Sequence, residues 1–258
     1  MTNERTVVKG IVLREKQSKE SDKILTVLTA ELGKITVVAK GACSRRSKVG
    51  ASTQLMAYSE LVLSEKHGWQ YLMESSTIEL FDGVRQDIEL LSLGSYFAEI
   101  VEWVCGDTIE SAAILSLLLN TLYALGTLHR PQLLVKAAFE LKLMSLIGFE
   151  PLFDGCSICG TQEPDKPVFD LLGGTLCCRA CAGTAQALPL TQGTLHAMRH
   201  VLYGEPKRLY SFRLEVADLV CFSHAAERYT RAMLDREFHT LHFYKSLCSY
   251  ESTKNEKI

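Results

Sequence analysis

Cys156-Ser-Ile-Cys159-Gly160 and Cys178-Arg-Ala-Cys181 are the residues of this sequence best suited to chemistry. Their spacing, C-x2-C-x18-C-x2-C, falls in the range of a four-thiolate zinc site, because each C-x2-C turn is tight enough for both sulfurs to reach one tetrahedral ion. Gly160 behind the first pair and Gly173-Gly174 ahead of the second supply the backbone freedom that such turns need. Four thiolates close the coordination sphere and leave no position for water or substrate, so the expected cofactor is one structural Zn2+ with no metal-centred catalysis. A second register stays open. Cys178, Cys181, His196 and His200 form C-x2-C-x14-H-x3-H, with the two histidines one helical turn apart, although that set would leave Cys156 and Cys159 without a role. Cys177 is a spare thiol in either case, and its role, like that of His196 and His200, is left open. A redox pair would need a helix start in a thioredoxin-like βαβ unit, and an iron–sulfur cluster would need ferredoxin spacing; the sequence offers neither.

The second chemically suggestive stretch is Lys40-Gly-Ala-Cys-Ser-Arg45-Arg46-Ser-Lys48. Four cations separated by small residues suit phosphate contacts, since serine hydroxyls and backbone N–H groups add hydrogen bonds where the glycine lets the chain come close. Lys34 precedes this block, and Arg14, Lys16, Lys19 and Lys23 bracket the hairpin before it. The candidate nucleic-acid-binding residues are therefore Arg14, Lys23, Lys34, Lys40, Arg45, Arg46 and Lys48. The formal net charge of −2 hides the asymmetry: residues 1–50 carry 11 Lys and Arg against 5 Asp and Glu, and the remainder 17 against 25. Such a distribution suggests one face for a polyanion on a protein that otherwise avoids indiscriminate binding; a solvated surface is the plain alternative. Tyr58, Trp69 and Tyr71 could stack on bases, but core packing is the expectation for each.

No catalytic set accompanies these stretches. The sequence lacks a Walker-type loop, G-x-S-x-G, HExxH and any paired acidic motif with attendant ligands. His224, His239 and His242 lie on helical patterns, and Glu20 and Asp22 sit where a turn explains them. No enzyme is expected.

The elements that must position these residues come in two kinds. From residue 6 to 80, TVVKGIVL, KILTVLT, GKITVVA, YSELVLS and WQYLMES are short runs rich in Val, Ile, Thr and aromatics, parted by turn residues. Five such strands predict a small closed barrel of the OB-fold type, with an SH3-like barrel nearly as compatible. From about Val84 the apolar period lengthens to three to five residues and predicts packed helices, the third ended by Gly148. Helices resume over 191–203, 214–234 and 237–248, leaving the thiol-rich loop as an insertion. The fold class is thus α+β and multidomain: an OB-fold barrel over 1–80, an all-α domain over 81–250 with a zinc-binding loop over 154–184 inserted in it, and a disordered tail over 251–258. Composition is that of a folded protein, at 47% hydrophobic and 22% charged. The start has no signal-peptide pattern, and the uncharged run Ser111 to Leu128 carries enough polar residues to predict a buried helix rather than a membrane span. Nine cysteines in a chain expected to stay in the cytosol argue against disulfides.

Two blocks of this sequence resemble the RecO family of bacterial recombination mediators. GIVLREKQSKESDKILTVLTAELGKITVVAKGACSRRSK is similar to the family's first three strands, with Glu20-Ser21-Asp22 in the hairpin. FELKLMSLIGFEPLFDGCSICG and GGTLCCRAC are similar to its last core helix and zinc loop. The resemblance implies an OB-fold, a helical C-terminal domain and a non-enzymatic role in the RecF pathway of recombinational DNA repair. It further implies binding of single- and double-stranded DNA, annealing of complementary strands, and work with RecR to load RecA onto DNA coated by SSB, whose C-terminal tail is engaged. A functional link to RecF, residence in the bacterial cytoplasm at the nucleoid, and no membrane partner follow from the same likeness. It carries Cys156, Cys159, Cys178 and Cys181 to the metal, and Lys34, Lys40, Arg45, Arg46 and Lys48 to DNA. A zinc-stabilised helical adaptor with incidental DNA affinity is the alternative from another functional class.

Overall fold

In the computed structural model, which describes residues 5–106, 111–183 and 187–255 with side chains as far as 248, the first five apolar runs are strands. They are β1 (Arg5–Ser18), β2 (Asp22–Thr29), β3 (Lys34–Ala39), β4 (Tyr58–Lys66) and β5 (Trp69–Glu79). They close in the order β1-β2-β3-β5-β4, with every neighbouring pair antiparallel except β3 and β5, which run parallel. This is an OB-like barrel. Alternation sends Val8, Val12, Leu25, Val27, Val37, Ala39, Leu61, Leu63 and Leu72 inward to one apolar core. β1 is long enough to serve two neighbours: it pairs with β4 over Arg5–Ile11 and with β2 over Gly10–Ser18, and a register shift between Val12 and Arg14 lets it bend from one to the other. Gly10 sits where the two pairings overlap, and a Cβ there would lie 2.6 Å from Val27 Cγ1.

Helices follow: α1 (Asp82–Arg85), α2 (Ile88–Val104), α3 (Ser111–Gly126) and α4 (Gln132–Leu146). Asp87 caps α2 by accepting from the N–H groups of Glu89 and Leu90 at 2.8 and 3.0 Å. Gly148, at φ +91°, lies just past the end of α4, where Phe149 N–H returns to Met144 O at 2.8 Å. The uncharged run is α3, with Ile114, Leu118 and Leu122 fully buried. No helix among the described residues is long and apolar enough to cross a membrane. The cysteine loop contributes β6 (Pro167–Asp170), β7 (Thr175–Cys178) and β8 (Ala187–Pro189), a small sheet in the order β7-β6-β8. The helical part of the chain therefore carries a sheet that the sequence pattern does not reveal. Then come α5 (Gln192–Tyr203), α6 (Val216–Leu234) and α7 (His239–Asn255). Helix thus covers 251–255 of the expected tail, while 256–258 lie outside the described residues.

Contacts gather the chain into two units, residues 1–127 with 238–258, and residues 128–237. The first unit holds the barrel with α1, α2, α3 and α7. α7 belongs there because Glu99 on α2 accepts from Thr240 N–H at 3.2 Å and from its hydroxyl at 2.5 Å, while Phe238 meets Tyr96 edge-on at 5.7 Å. The second unit holds α4, α5, α6 and the cysteine loop. There Phe153, Phe169 and Tyr229 form a chain of rings 4.9 and 5.0 Å apart that fixes the loop to α6.

Candidate nucleic-acid interface and cysteine centre

The loop leaving β3 is pinned at its root and open at its tip. Asp22 Oδ1 accepts from Gly41 N–H at 2.8 Å, Ser21 O accepts from Cys43 N–H at 2.9 Å, and Gly41 takes the left-handed φ of +66° that this turn requires. Asp22 therefore anchors the loop as well as turning the hairpin. Beyond the anchor, Lys40, Arg45, Arg46 and Lys48 are exposed, and none forms an ion pair among the described residues.

The other three candidate cations are differently placed. Arg14 pairs with Glu102 on α2 at 2.8 Å, Lys34 Nζ donates to the Glu102 carbonyl at 2.6 Å near the end of that helix, and Lys23 pairs with Glu15. A lysine at a helix C-terminus meets the negative end of the macrodipole, so Lys34 and Arg14 are tied to α2 while the four loop cations are not. The partner that ties them, Glu102, is distant in sequence and gives no local signal.

The aromatic residues divide as well. Tyr58 and Tyr71 are half-buried, but Trp69 is 49% exposed, which corrects the expectation that all three pack in the core. The physical reason is strand alternation: Leu72 points into the barrel, so Tyr71 and Trp69 lie on its outer face. Lys40 Nζ stands 5.1 Å from the centre of the Tyr71 ring, a cation–π contact.

In the second unit, two turns and one strand end bring the four predicted thiols together. Cys156 N–H donates to Thr161 O at 2.8 Å and Gly160 N–H to Cys156 O at 2.9 Å, with Gly160 at φ +76°. The second turn, Cys178 to Cys181, is closed by Cys181 N–H to Cys178 O at 3.0 Å at the end of β7. Arg199 on α5 fastens the first arm from behind, donating to Phe153 O at 2.9 Å and pairing with Glu163 at 2.6 Å. The sulfurs of Cys156, Cys159, Cys178 and Cys181 all lie within 4.8 Å of one another. A tetrahedral ion with sulfur bonds of about 2.3 Å needs edges of about 3.8 Å, and the set brackets that value, with Cys159 and Cys178 sulfurs 3.4 Å apart and none farther than 4.8 Å, so one such ion fits after small shifts of the thiols. Neither pair opens an α-helix, as a thioredoxin-type thiol would.

The electrostatics favour thiolates on one side of the cluster. Burial opposes ionisation of Cys156, yet the backbone N–H groups of Cys159, Cys178 and Ile158 directed at its sulfur outweigh that and bring it down to about 6. Cys159 is also lowered, first by the Thr161 hydroxyl 3.3 Å from its sulfur. Cys178 and Cys181, whose S–H groups are drawn on by the Cys159 sulfur, are pushed up to about 12 and about 11. The mixed register is not assembled: among the described residues the four cysteines are the group that could hold a metal, and His196 and His200 belong to none. His200 Nε2 lies 2.9 Å from Arg208 O with its ring against Phe212. Cys177 is buried, its sulfur 3.4 Å from the Ser157 hydroxyl, outside the cluster.

Comparison with known proteins decides the family. The family model described as "Recombination protein O N terminal" matches residues 1–81, and the one described as "Recombination protein O C terminal" matches residues 85–242. The chain belongs to the RecO family. A protein of Acetivibrio thermocellus named DNA repair protein RecO is 31% identical over 239 residues, covering 92% of this chain and 95% of that protein. One of the same name from Symbiobacterium thermophilum is 30% identical over 246 residues, 94% of this chain and 97% of its own length. The RecO of Caldicellulosiruptor saccharolyticus is 34% identical over 173 residues, 67% of this chain and 70% of that protein. The barrel thus coincides with the family's N-terminal region, and the cysteine centre lies in its C-terminal region.

Proposed function

We propose that this chain is a non-enzymatic DNA-binding recombination mediator. It binds single- and double-stranded DNA through the loop after β3, anneals complementary strands, and with RecR helps load RecA onto SSB-coated single strands in the RecF pathway. The observation that carries this reading is the loop itself: Lys40, Arg45, Arg46 and Lys48 project from a barrel with no protein carboxylate paired to them among the described residues. Annealing requires neutralisation of two phosphate backbones without reading of bases, so that the bases stay available to each other. Unpaired cations on a short, anchored loop supply that. Arg14, Lys23 and Lys34 add positive potential on the barrel while their own hydrogen-bonding capacity is partly engaged. RecR and the C-terminal tail of SSB are the protein partners of this reading, RecA and RecF its functional links, and the bacterial cytoplasm at the nucleoid its setting.

In the same reading Cys156, Cys159, Cys178 and Cys181 hold one structural Zn2+. When bound, the ion supplies cross-linking of the loop rather than Lewis-acid chemistry, since four thiolates leave it no open position.

The test is fluorescence anisotropy of a labelled single strand against salt, for the parent protein and an Arg45→Ala/Arg46→Ala/Lys48→Ala variant. Expected is a steep linear fall of log affinity with log salt, with the variant losing about two units of slope, or about 0.7 for each phosphate contact removed. An unchanged slope would place the DNA site elsewhere. Failure of the parent to bind at low salt would favour the adaptor, a reading supported by exposed Leu152, Ile158 and Leu172 around the cysteine loop.

A further inference from the structure

β5 begins immediately after a tight hairpin, where Lys66 and Trp69 face each other across the strand pair. Trp69 leaves 49% of its surface in water at this position. An indole is the largest apolar side chain available, and one that leaves about half its surface in water keeps ring surface available for a partner. Its companion on the same face is Tyr71, two residues on, because successive side chains of a strand alternate and Leu72 is turned inward.

The parallel pairing of β3 with β5 then matters. It sets Val38 beside Tyr71, so the chain that continues into the cationic loop leaves the barrel next to this aromatic face. Lys40 accordingly lies over the Tyr71 ring at 5.1 Å. Two outward rings in a row are thus flanked by Lys66 at one and Lys40 at the other, both exposed.

We propose that Trp69 and Tyr71 form a stacking platform for two consecutive unpaired nucleobases, which makes this side of the barrel selective for single strands over duplex. The proposal rests on the DNA-binding reading above and assigns the bases where that reading assigns only the phosphates. Spacing carries the selectivity. Rings two residues apart on a strand are separated by about 6.6–6.8 Å, whereas neighbouring bases of a duplex lie about 3.4 Å apart and cover each other's faces. Bases can therefore use both rings only after they have parted from each other and from a complementary strand. Every base has a π-face, so the platform tolerates any sequence. A base that takes the place of the ammonium over Tyr71 frees Lys40 for a neighbouring phosphate, and the loop cations continue the path of the backbone. Tyr58 has no part in this, since it pairs with Ile11 and Glu79 at the opposite end of β4.

The sequence itself provides the probe, because the chain has only two tryptophans. In a Trp103→Phe variant, Trp69 is the sole indole emitter. This protein is titrated with an end-labelled oligothymidylate and with a blunt duplex of the same length, and label anisotropy and tryptophan emission are read separately. Expected is strong quenching at saturation with the single strand and little with the duplex. In the otherwise unaltered chain, Trp69→Ala should weaken single-strand binding about 5- to 150-fold with the salt slope unchanged, and should move duplex affinity less than about twofold. Trp69→Phe, which keeps a ring, should recover much of the loss. Full anisotropy change on the single strand without quenching of Trp69 overturns the platform and leaves the phosphate reading intact. Equal weakening of both strands by Trp69→Ala overturns it as well. If neither nucleic acid raises the anisotropy, the DNA-binding reading fails and the platform fails with it.

Discussion

The barrel and the helical unit of residues 128–237 hold themselves together in opposite ways. The barrel packs around one apolar cluster inside a closed five-strand ladder, with Thr29, Ser59 and Ser64 as small buried hydroxyls on its strands and no buried charge in that cluster. The helical unit adds two polar centres to its apolar packing. One is the cysteine cluster. The other lies between α4 and α6, where Lys136, 1% exposed, reaches Glu140 at 2.9 Å and Glu227 at 2.8 Å. Burial opposes the Lys136 charge, but the two carboxylates outweigh it and hold the ammonium protonated above the usual lysine range. A body stabilised by apolar burial is indifferent to chelators and mild pH change, whereas one organised by ionised ligands and buried charge is sensitive to the loss of any member.

Metal removal should separate the two units most. Structural zinc is worth on the order of 10 kcal/mol to isolated fingers, and the arms of this loop have only the Phe153–Phe169–Tyr229 rings and short strands to fall back on. A chelator, or Cys178→Ser, should take the metal content from one ion to none. Hydrogen exchange should then accelerate over residues 152–181 and stay unchanged in β1 to β5; equal acceleration in both would refute the contrast. Acid should act in the same direction. Cys178 and Cys181 at about 12 and about 11 keep their protons in the metal-free loop at neutral pH, so binding must displace them. Zinc affinity, read by competition with a chromophoric chelator, should therefore fall steadily as the pH is lowered.

Lys136→Met comes next, at about 3–5 kcal/mol, because it removes the buried ammonium that pairs with Glu140 at 2.9 Å while that carboxylate stays fully buried. Urea unfolding of the helical unit measures the loss, and Lys136→Met/Glu140→Leu should recover most of it. The folded-state pKa of Lys136 is raised, so its contribution is fully present at neutral pH and disappears only as the pH climbs through that raised value. In the barrel the corresponding weak point is steric. Gly10→Ala would place a methyl 2.6 Å from Val27 Cγ1 and 2.9 Å from Leu28 O, at a cost of about 1–3 kcal/mol. That loss should be the same with and without chelator.

The same contrast explains what the sequence made legible. Barrel strands announce themselves locally, and their runs, from TVVKGIVL to WQYLMES, lie within the observed strands or overrun them by a residue at most. The thiol spacing is legible for a similar reason, since coordination geometry constrains residues three positions apart, as Cys156 and Cys159 are, and Cys178 and Cys181. Features set by distant partners are not. β6, β7 and β8 are only three or four residues long and take their place from each other and from Leu152. α7 has a helical pattern, but its membership of the barrel unit rests on Glu99 meeting Thr240 across 141 positions. Trp69 had a local signal, its alternation with Leu72, that a general preference for burying indoles obscured.

The smallest effect concerns the cations that the barrel shares with α2. Glu102→Gln removes the charge that Arg14 pairs with but leaves an amide oxygen able to accept from the Thr26 hydroxyl, now 3.2 Å from the carboxylate. The Lys34 bond goes to the backbone carbonyl of residue 102 and is untouched. Arg14 is 67% exposed, so solvent already screens most of the attraction, and the loss of stability should not exceed about 1 kcal/mol and should shrink further with salt. DNA binding gives the sharper readout. Arg14 released from Glu102 becomes a cation without a carboxylate, as Arg45 and Arg46 are, so Glu102→Gln should steepen the single-strand salt slope by up to about 0.7, one phosphate's worth. Arg14→Ala, by contrast, removes a cation already partly committed to α2 and should flatten the slope clearly less than Arg46→Ala does. If Arg14→Ala and Arg46→Ala flatten the slope equally, the division between tied and free cations on this barrel is wrong.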